Sequence, residues 1–396
     1  LTDPLGIDNG RPHFSWQLKA PMNVQDERQT AYEIEVASDP ALLAKGKADV
    51  WSSGKVGKKQ QIMVPFGGEQ LPQRSLCYWR VKAYDKAGQP TEWSETARFS
   101  VGLDESTMQG EFIIQPRELG NQESPVFWKT INIRKLSTTL MHVNSLGYHE
   151  LYVNGQRISE TVLAPAMTQL NKRSAIVTYD ITHALKKGAN DVAVCLGQGW
   201  YKRNTFDAQH DGPIVKAEID QYHGKRCTVI ASTDSSWRVA QTGYQGIGSW
   251  APLQFGGERL DGAKNIFRHP LTAANLSRLP NAAAEVTTVE NIKASPQMFE
   301  GNRIVCRLRP IYVSKTDGGY VFDLGRNITG WWQMTFRSLR KGQEVKMEYA
   351  DDMKDGSFEP QGEYDVFVSG GESEEVFVNR FHSHAYRYVR VSGLGY

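Results

Sequence analysis

The side chains best suited to chemistry cluster just after Val192 to Leu196, an apolar run that reads as a strand. There Gly197-Gln198-Gly199-Trp200-Tyr201 opens a polar loop, Lys202 to Gly212, that carries Asn204, Asp207, His210 and Asp211. Sugar rings have apolar C–H faces and polar edges. Flat aromatic faces beside carboxylates and amides suit them. Trp200, Tyr201, Asn204, Asp207 and Asp211 are therefore the candidate carbohydrate-binding residues. A competing reading makes Trp200 the cap of a sandwich core, because tryptophan is highly buried on average.

Covalent and hydrolytic signatures are missing. The chain has no GxSxG elbow, no GxxxxGK[ST] phosphate loop and no HExxH zinc helix. Glycoside chemistry needs two carboxylates at a defined separation in a cleft. Asp323, Glu348 and Asp351-Asp352 are acidic candidates, but they fall in strands or turns and read as surface charges. His382-Ser383-His384 puts two imidazoles on one strand face, and two ligands alone make no metal site. Asp351 to Gly356 lacks the closing Glu of a calcium loop and reads as a hairpin turn. Asn275-Leu276-Ser277 and Asn327-Ile328-Thr329 fit the short glycan-acceptor pattern. Cys77, Cys195, Cys227 and Cys306 are widely spaced with no CxxC pair, which predicts buried thiols and no disulfide framework.

The elements that position these groups read as β-strands. Tyr32, Ile34 and Val36 share one face, as do Trp79, Val81 and Ala83, and Val389 and Val391. Alternation with period two buries one face and wets the other. Asn154-Gly155, Lys187-Gly188, Asp317-Gly318-Gly319, Lys341-Gly342 and Gly370-Gly371 mark turns between such runs. The best helix candidate is Pro40 to Lys47, with Asp39 as its N-cap. Three segments emerge: 1–103, the size of a fibronectin type III-like sandwich; 112–270; and 304–396. Residues 271–303 read as a linker or irregular edge. With 46 Lys+Arg against 44 Asp+Glu, no sign of charge dominates, which argues against a nucleic-acid partner. No apolar run approaches the ~18 residues of a membrane span.

The ordered series of motifs resembles the front, non-catalytic region of bacterial α-L-rhamnosidases of glycoside hydrolase family 78. The likeness opens with Asp3 to Asp8, Pro12 to Trp16, Gln29 to Ile34, Asp49 to Val56, Trp79 to Val81 and Trp93-Ser94. It continues through Leu146 to Gly155, Val162 to Pro165, Thr178 to Thr182, Gly197 to Tyr201 and Gly256 to Asp261. It closes with Val321 to Trp331 and Ala385 to Gly393. The resemblance implies an all-β chain of tandem β-sandwiches: fibronectin type III-like, then a jelly-roll module, then a concanavalin-like domain. It also implies that the acid and base of an inverting hydrolysis lie in an (α/α)6 barrel, which needs long helices that these residues do not contain.

From the resemblance we expect an accessory region that supports such a barrel, binds a rhamnose-containing glycan and is itself catalytically inert. No cofactor is required. Some members hold calcium and rhamnose in the jelly roll, through an Asp-Asn pair after the Asn-Gly turn and an Asn before a Pro. Here Ser159-Glu160 and Ala208 stand at those places, so the expectation is a lost or altered calcium site, with Glu160 and Asp207 as its weak candidate ligands. The expected location is periplasmic or extracellular, although no signal peptide is visible after Leu1. Two other readings are a stand-alone carbohydrate-binding protein and a complete enzyme with convergent carboxylates between its sandwiches.

Overall fold

The computed structural model describes residues 2–19, 25–120, 123–203, 207–249, 254–316, 318–354 and 356–394. Its regular structure is almost all β, in tandem sandwiches. Among the described residues the longest α-helix is Pro40–Ala44. Asp39 caps it by accepting from the Ala41 amide at 2.8 Å. It stops short of the expected Lys47 because Gly46 turns the chain at φ +67°.

In the first sandwich Ala31–Ala37 and Leu76–Tyr84 are the central pair of a four-stranded sheet. The alternation sorts as expected. Ile34 and Val36 are fully buried, and Phe14 and Val64 from the facing layer, with Phe99 from the same sheet, join them in one core.

The second sandwich sets a seven-stranded sheet against part of a twelve-stranded one. Val143, Val215 and Ile219 of the first meet Phe127, Val192 and Val194 of the second, all fully buried. Residues 271–303 supply both rims of the seven-stranded sheet. Glu285–Thr287 pairs with Phe112–Ile114, and Lys293–Pro296 runs parallel to Arg173–Asp180. Weak alternation leaves a linker and an irregular edge both open for this stretch, and strands at a rim need only one partner.

The twelve-stranded sheet runs on from the second sandwich into the third. Gly257–Asp261 pairs with Arg238–Ile247 on one side and, in parallel, with Tyr364–Val368 on the other. The sheet then continues through Glu344–Ala350, His384–Ser392 and Gly319–Gly330 to its last strand, Tyr312–Thr316. The third core packs Trp332, Phe336, Val345, Met347, Phe367 and Phe377. Cys77 and Cys195 are buried, Cys227 is half-buried and Cys306 is exposed, and all four are unbridged.

Candidate functional site

The seam between the second and third sandwiches is built around glycines. Gly257 sits where a Cβ would collide with Asp365, and Gly197 where one would enter the Phe381 ring. Substituents at either place would force the strands apart. Through the space at Gly257, Asp365 Oδ1 accepts the Glu258 amide at 2.7 Å. Its Oδ2 accepts the Tyr349 hydroxyl, Asn379 Nδ2 at 2.8 Å and His384 Nε2 at 3.1 Å.

Glu258 ties down the loop that follows Val378. Its Oε2 accepts the Arg380 amide at 2.7 Å and Asn379 Nδ2 at 3.3 Å, and its Oε1 accepts the Phe381 amide at 2.9 Å. The loop then sends Arg380 back into the second sandwich. Its guanidinium lies 3.3 Å from the centre of the Phe267 ring and donates to Glu150 at 2.8 Å and to the Tyr152 hydroxyl at 3.2 Å. Arg157 reaches the same Glu150 at 3.0 Å.

Electrostatics follow from this burial. Glu258 is pushed up to about 7, by desolvation and then by the charge of Asp365. Burial pulls the His384 imidazole down, but Asp365 and Glu363 outweigh it and hold the ring at about 9. His382, stacked on His384 with centroids 4.6 Å apart, is driven to about 3 by burial and by that neighbouring charge. The two imidazoles expected on one strand face are therefore an unlike pair, one cationic and one neutral.

A half-open pocket of about 110 Å³ opens over this network, between Tyr148, Trp200, Lys202, Glu258, Phe381 and His382. Tyr148 and Trp200 also wall a smaller, mainly apolar hollow beside Pro165, Met167 and Leu170. Burial holds the Lys202 ammonium below its ordinary pKa.

The residues expected from the sequence divide. Trp200 is half-buried and lines the pocket. Tyr201 does not. It is fully buried among Leu146, Leu170, Ala208 and Ile214, with its hydroxyl 3.1 Å from His210 Nδ1, so it has no face for a sugar. The apolar surroundings that bury the ring outweigh the wet position of its sequence neighbours. Asp211 is exposed and paired with Arg203 at 2.6 Å. Asp207 and Glu160 are exposed. Asn204 lies outside the described residues. Calcium wants roughly six to eight oxygens around one point. Among the described residues no group of three or more His, Cys, Asp or Glu side chains is placed to hold a metal.

Sequence reasoning missed Glu258, Asp365 and Arg380. One signal was available: Gly256-Gly257 directly before an acid inside a strand, a place where glycine marks a close approach. The pairing of Glu258 with Asp365 across 107 positions has no such local signal.

With the geometry in hand, the comparisons with known proteins cover the chain in three pieces. Residues 1–105 match the family described as Rha78A-like, N-terminal immunoglobulin domain. Residues 134–305 match the alpha-L-rhamnosidase N-terminal domain, and residues 314–396 the bacterial alpha-L-rhamnosidase concanavalin-like domain. A curated alpha-L-rhamnosidase of Formosa agariphila is 26% identical over 442 residues, which span 99% of this chain and 45% of the relative. An alpha-L-rhamnosidase structure from Dictyoglumus thermophilum superposes with a TM-score of 0.86 at 27% identity, over 100% of this chain and 46% of the other. A Streptomyces avermitilis alpha-L-rhamnosidase solved with L-rhamnose shares the fold at 19% identity and a TM-score of 0.83, over 100% and 55%. The chain spans about half the length of the curated relatives it matches.

Proposed function

Starting from the finding that this chain belongs with the α-L-rhamnosidases through the N-terminal domains of that family, we propose that it is an accessory region of such a glycosidase. It holds a rhamnose-containing glycan and supports a hydrolytic domain, and it does not itself cleave. The observation that carries this reading is the state of the acids at the seam. Glu258 reaches the pocket wall with a pKa suited to proton transfer. However, both its oxygens already accept from Asn379, Arg380 and Phe381, and Asp365 behind it accepts from four groups. Three of the roughly four acceptor positions of Glu258 are thus taken by the loop, and Asp365 is engaged by four donors, so the pair is committed mainly to holding the seam together. A buried acid so committed acts as a clamp.

Support for the scaffolding role comes from an uncovered stripe. Fourteen large apolar side chains are exposed among the described residues, and seven of them fall between Met298 and Val313. Val305 is 93% exposed, Ile311 71% and Tyr312 65%. Apolar side chains of this size, exposed along one short run, are of the kind a partner surface covers. Arg303, Arg307 and Arg309 are exposed beside it, and aromatic residues, methionine and arginine are the types enriched in protein interfaces. A stand-alone sugar-binding protein has no use for this stripe, which favours the accessory reading over that one.

The pocket between Tyr148 and Trp200 supplies the sugar-holding part. Titrating L-rhamnose into the chain in a calorimeter should give weak, saturable heat. Trp200→Ala should weaken it roughly tenfold, because an aromatic wall is worth about 1–1.5 kcal/mol. Heat that never saturates, or that ignores Trp200→Ala, removes the glycan from the proposal.

A further inference from the structure

A second buried acidic pair, unrelated to the pocket, sits where the first sandwich meets the second. Along Ile214–His223 the residues Val215, Ala217 and Ile219 point into the core. The opposite face carries Lys216, Glu218, Asp220 and Tyr222. The first sandwich covers that face, with Leu5, Leu76 and Tyr78 in the same apolar cluster as Tyr222 and Leu140. Glu218 and Asp220 are fully buried there.

One cation from the first sandwich enters this space. Arg74, held at φ +63°, donates through Nε and Nη2 to Glu218 Oε1 at 2.9 and 2.7 Å. Its Nε lies 3.3 Å from Asp220 Oδ2. Glu218 also accepts the Gln109 amide, from the segment that joins the two sandwiches. His142, opposite Glu218 in the β-ladder, brings Nε2 to 3.4 Å from Asp220 Oδ2 while its Nδ1 meets Thr178 Oγ1 at 2.9 Å. Neither oxygen of Asp220 makes a hydrogen bond among the described residues.

Charge counting exposes an imbalance. Two buried carboxylates face one guanidinium, and two like charges this close cannot both ionise without cost. One proton restores neutrality. We propose that this joint is a proton-operated latch, shut while the Glu218–Asp220 pair carries one proton beneath Arg74 and loosened when that proton leaves.

The other titratable groups facing the pair are His142, Cys227, Tyr222 and Lys216. Burial pushes the Cys227 thiol up to about 12 and raises the Tyr222 phenol, so both stay neutral near pH 7. Lys216, lowered by burial, feels both Glu218 and Glu111. Glu218 itself is raised to about 7, first by desolvation and then by Asp220. Asp220 stays below the ordinary carboxylate range, because His142, Glu218 and Arg74 outweigh its burial. An acid whose folded pKa is raised adds stability that is complete below its unfolded value and is lost as pH climbs through the folded one. The latch therefore weakens as pH rises from the ordinary carboxylate value towards about 7 and is loosest above it. The rim pairs Arg98–Asp180 and Lys225–Asp49 are partly exposed and hold across that range.

Hydrogen exchange on the whole chain tests this. After correction for intrinsic rates, amides in segments 104–111 and 216–222 should exchange roughly tenfold faster at about pH 8.5 than at about pH 5.5. Glu218→Gln keeps the shape and the acceptor for Arg74 while removing the titration, so its profile should be flat. Asp220→Asn should flatten it as well, by removing the like charge. Equal protection of the unaltered protein at both pH values overturns the latch. So does an unchanged pH response in either variant that folds.

Discussion

Replacing Arg380 by alanine should cost about 3–5 kcal/mol, the usual result of breaking a buried ion pair from one side. The third sandwich should then unfold ahead of the second. Arg380 is the charged side chain of the 379–383 loop that crosses into the neighbouring sandwich, beside Phe381; Phe267 stacks on it, and Glu150 and Tyr152 accept from it. Its charge is secured because Glu150 and the nearby phenols outweigh burial. Without it, Glu150 keeps Arg157 but loses its buried partner. Arg380→Met should recover part of the packing on Phe267 and none of the charge pairing. Urea unfolding followed by tryptophan fluorescence checks this, and a single unshifted transition in Arg380→Ala would count against a joint built on that residue.

The second large effect concerns Asp365 and His384. A histidine held at about 9 contributes stability that is complete below its unfolded value of 6.5 and is lost as pH rises through 9. Its shift corresponds to about 3 kcal/mol. Glu258, raised to about 7, adds a loss in the same direction at lower pH. The melting temperature should therefore fall steadily from about pH 6.5 to about pH 9.5. Asp365→Asn should lower stability near neutral pH by several kcal/mol, since four donors lose their charged acceptor. The same change should shrink the alkaline decline, because His384 then has only Glu363 to hold it. A decline as steep in Asp365→Asn as in the unaltered protein would show that the pair is not its source.

How much of this was legible in the sequence depends on distance along the chain. Strand faces were local, and Ile34, Val36, Val389 and Val391 sort to the core as their alternation requires. The helix start at Asp39 was local as well. Tyr201 misled because its neighbours in sequence are polar, whereas the residues that bury it, Leu146 and Ile214, come from other strands. Both joints were invisible for the same reason. Glu218 waits for Arg74 across 144 positions, and Glu150 for Arg380 across 230. Glu218 and Asp220 read only as the polar half of an alternating strand. That a second sandwich covers this face is a fact of tertiary packing, which no period-two pattern records.

The resemblance carried the domain series further than composition could. In the structure, the buried acid nearest a cavity serves backbone amides, and the apolar stripe from Met298 to Val313 is left uncovered. Both observations fit a chain that positions chemistry done by other residues.

The most direct test is the release of 4-nitrophenol from 4-nitrophenyl α-L-rhamnoside by the purified chain. The account predicts a rate no higher than that of a matched blank, in the unaltered protein and in Glu258→Gln alike. Turnover above the blank that disappears in a folded Glu258→Gln protein would contradict it, because the clamp would then be a catalytic acid.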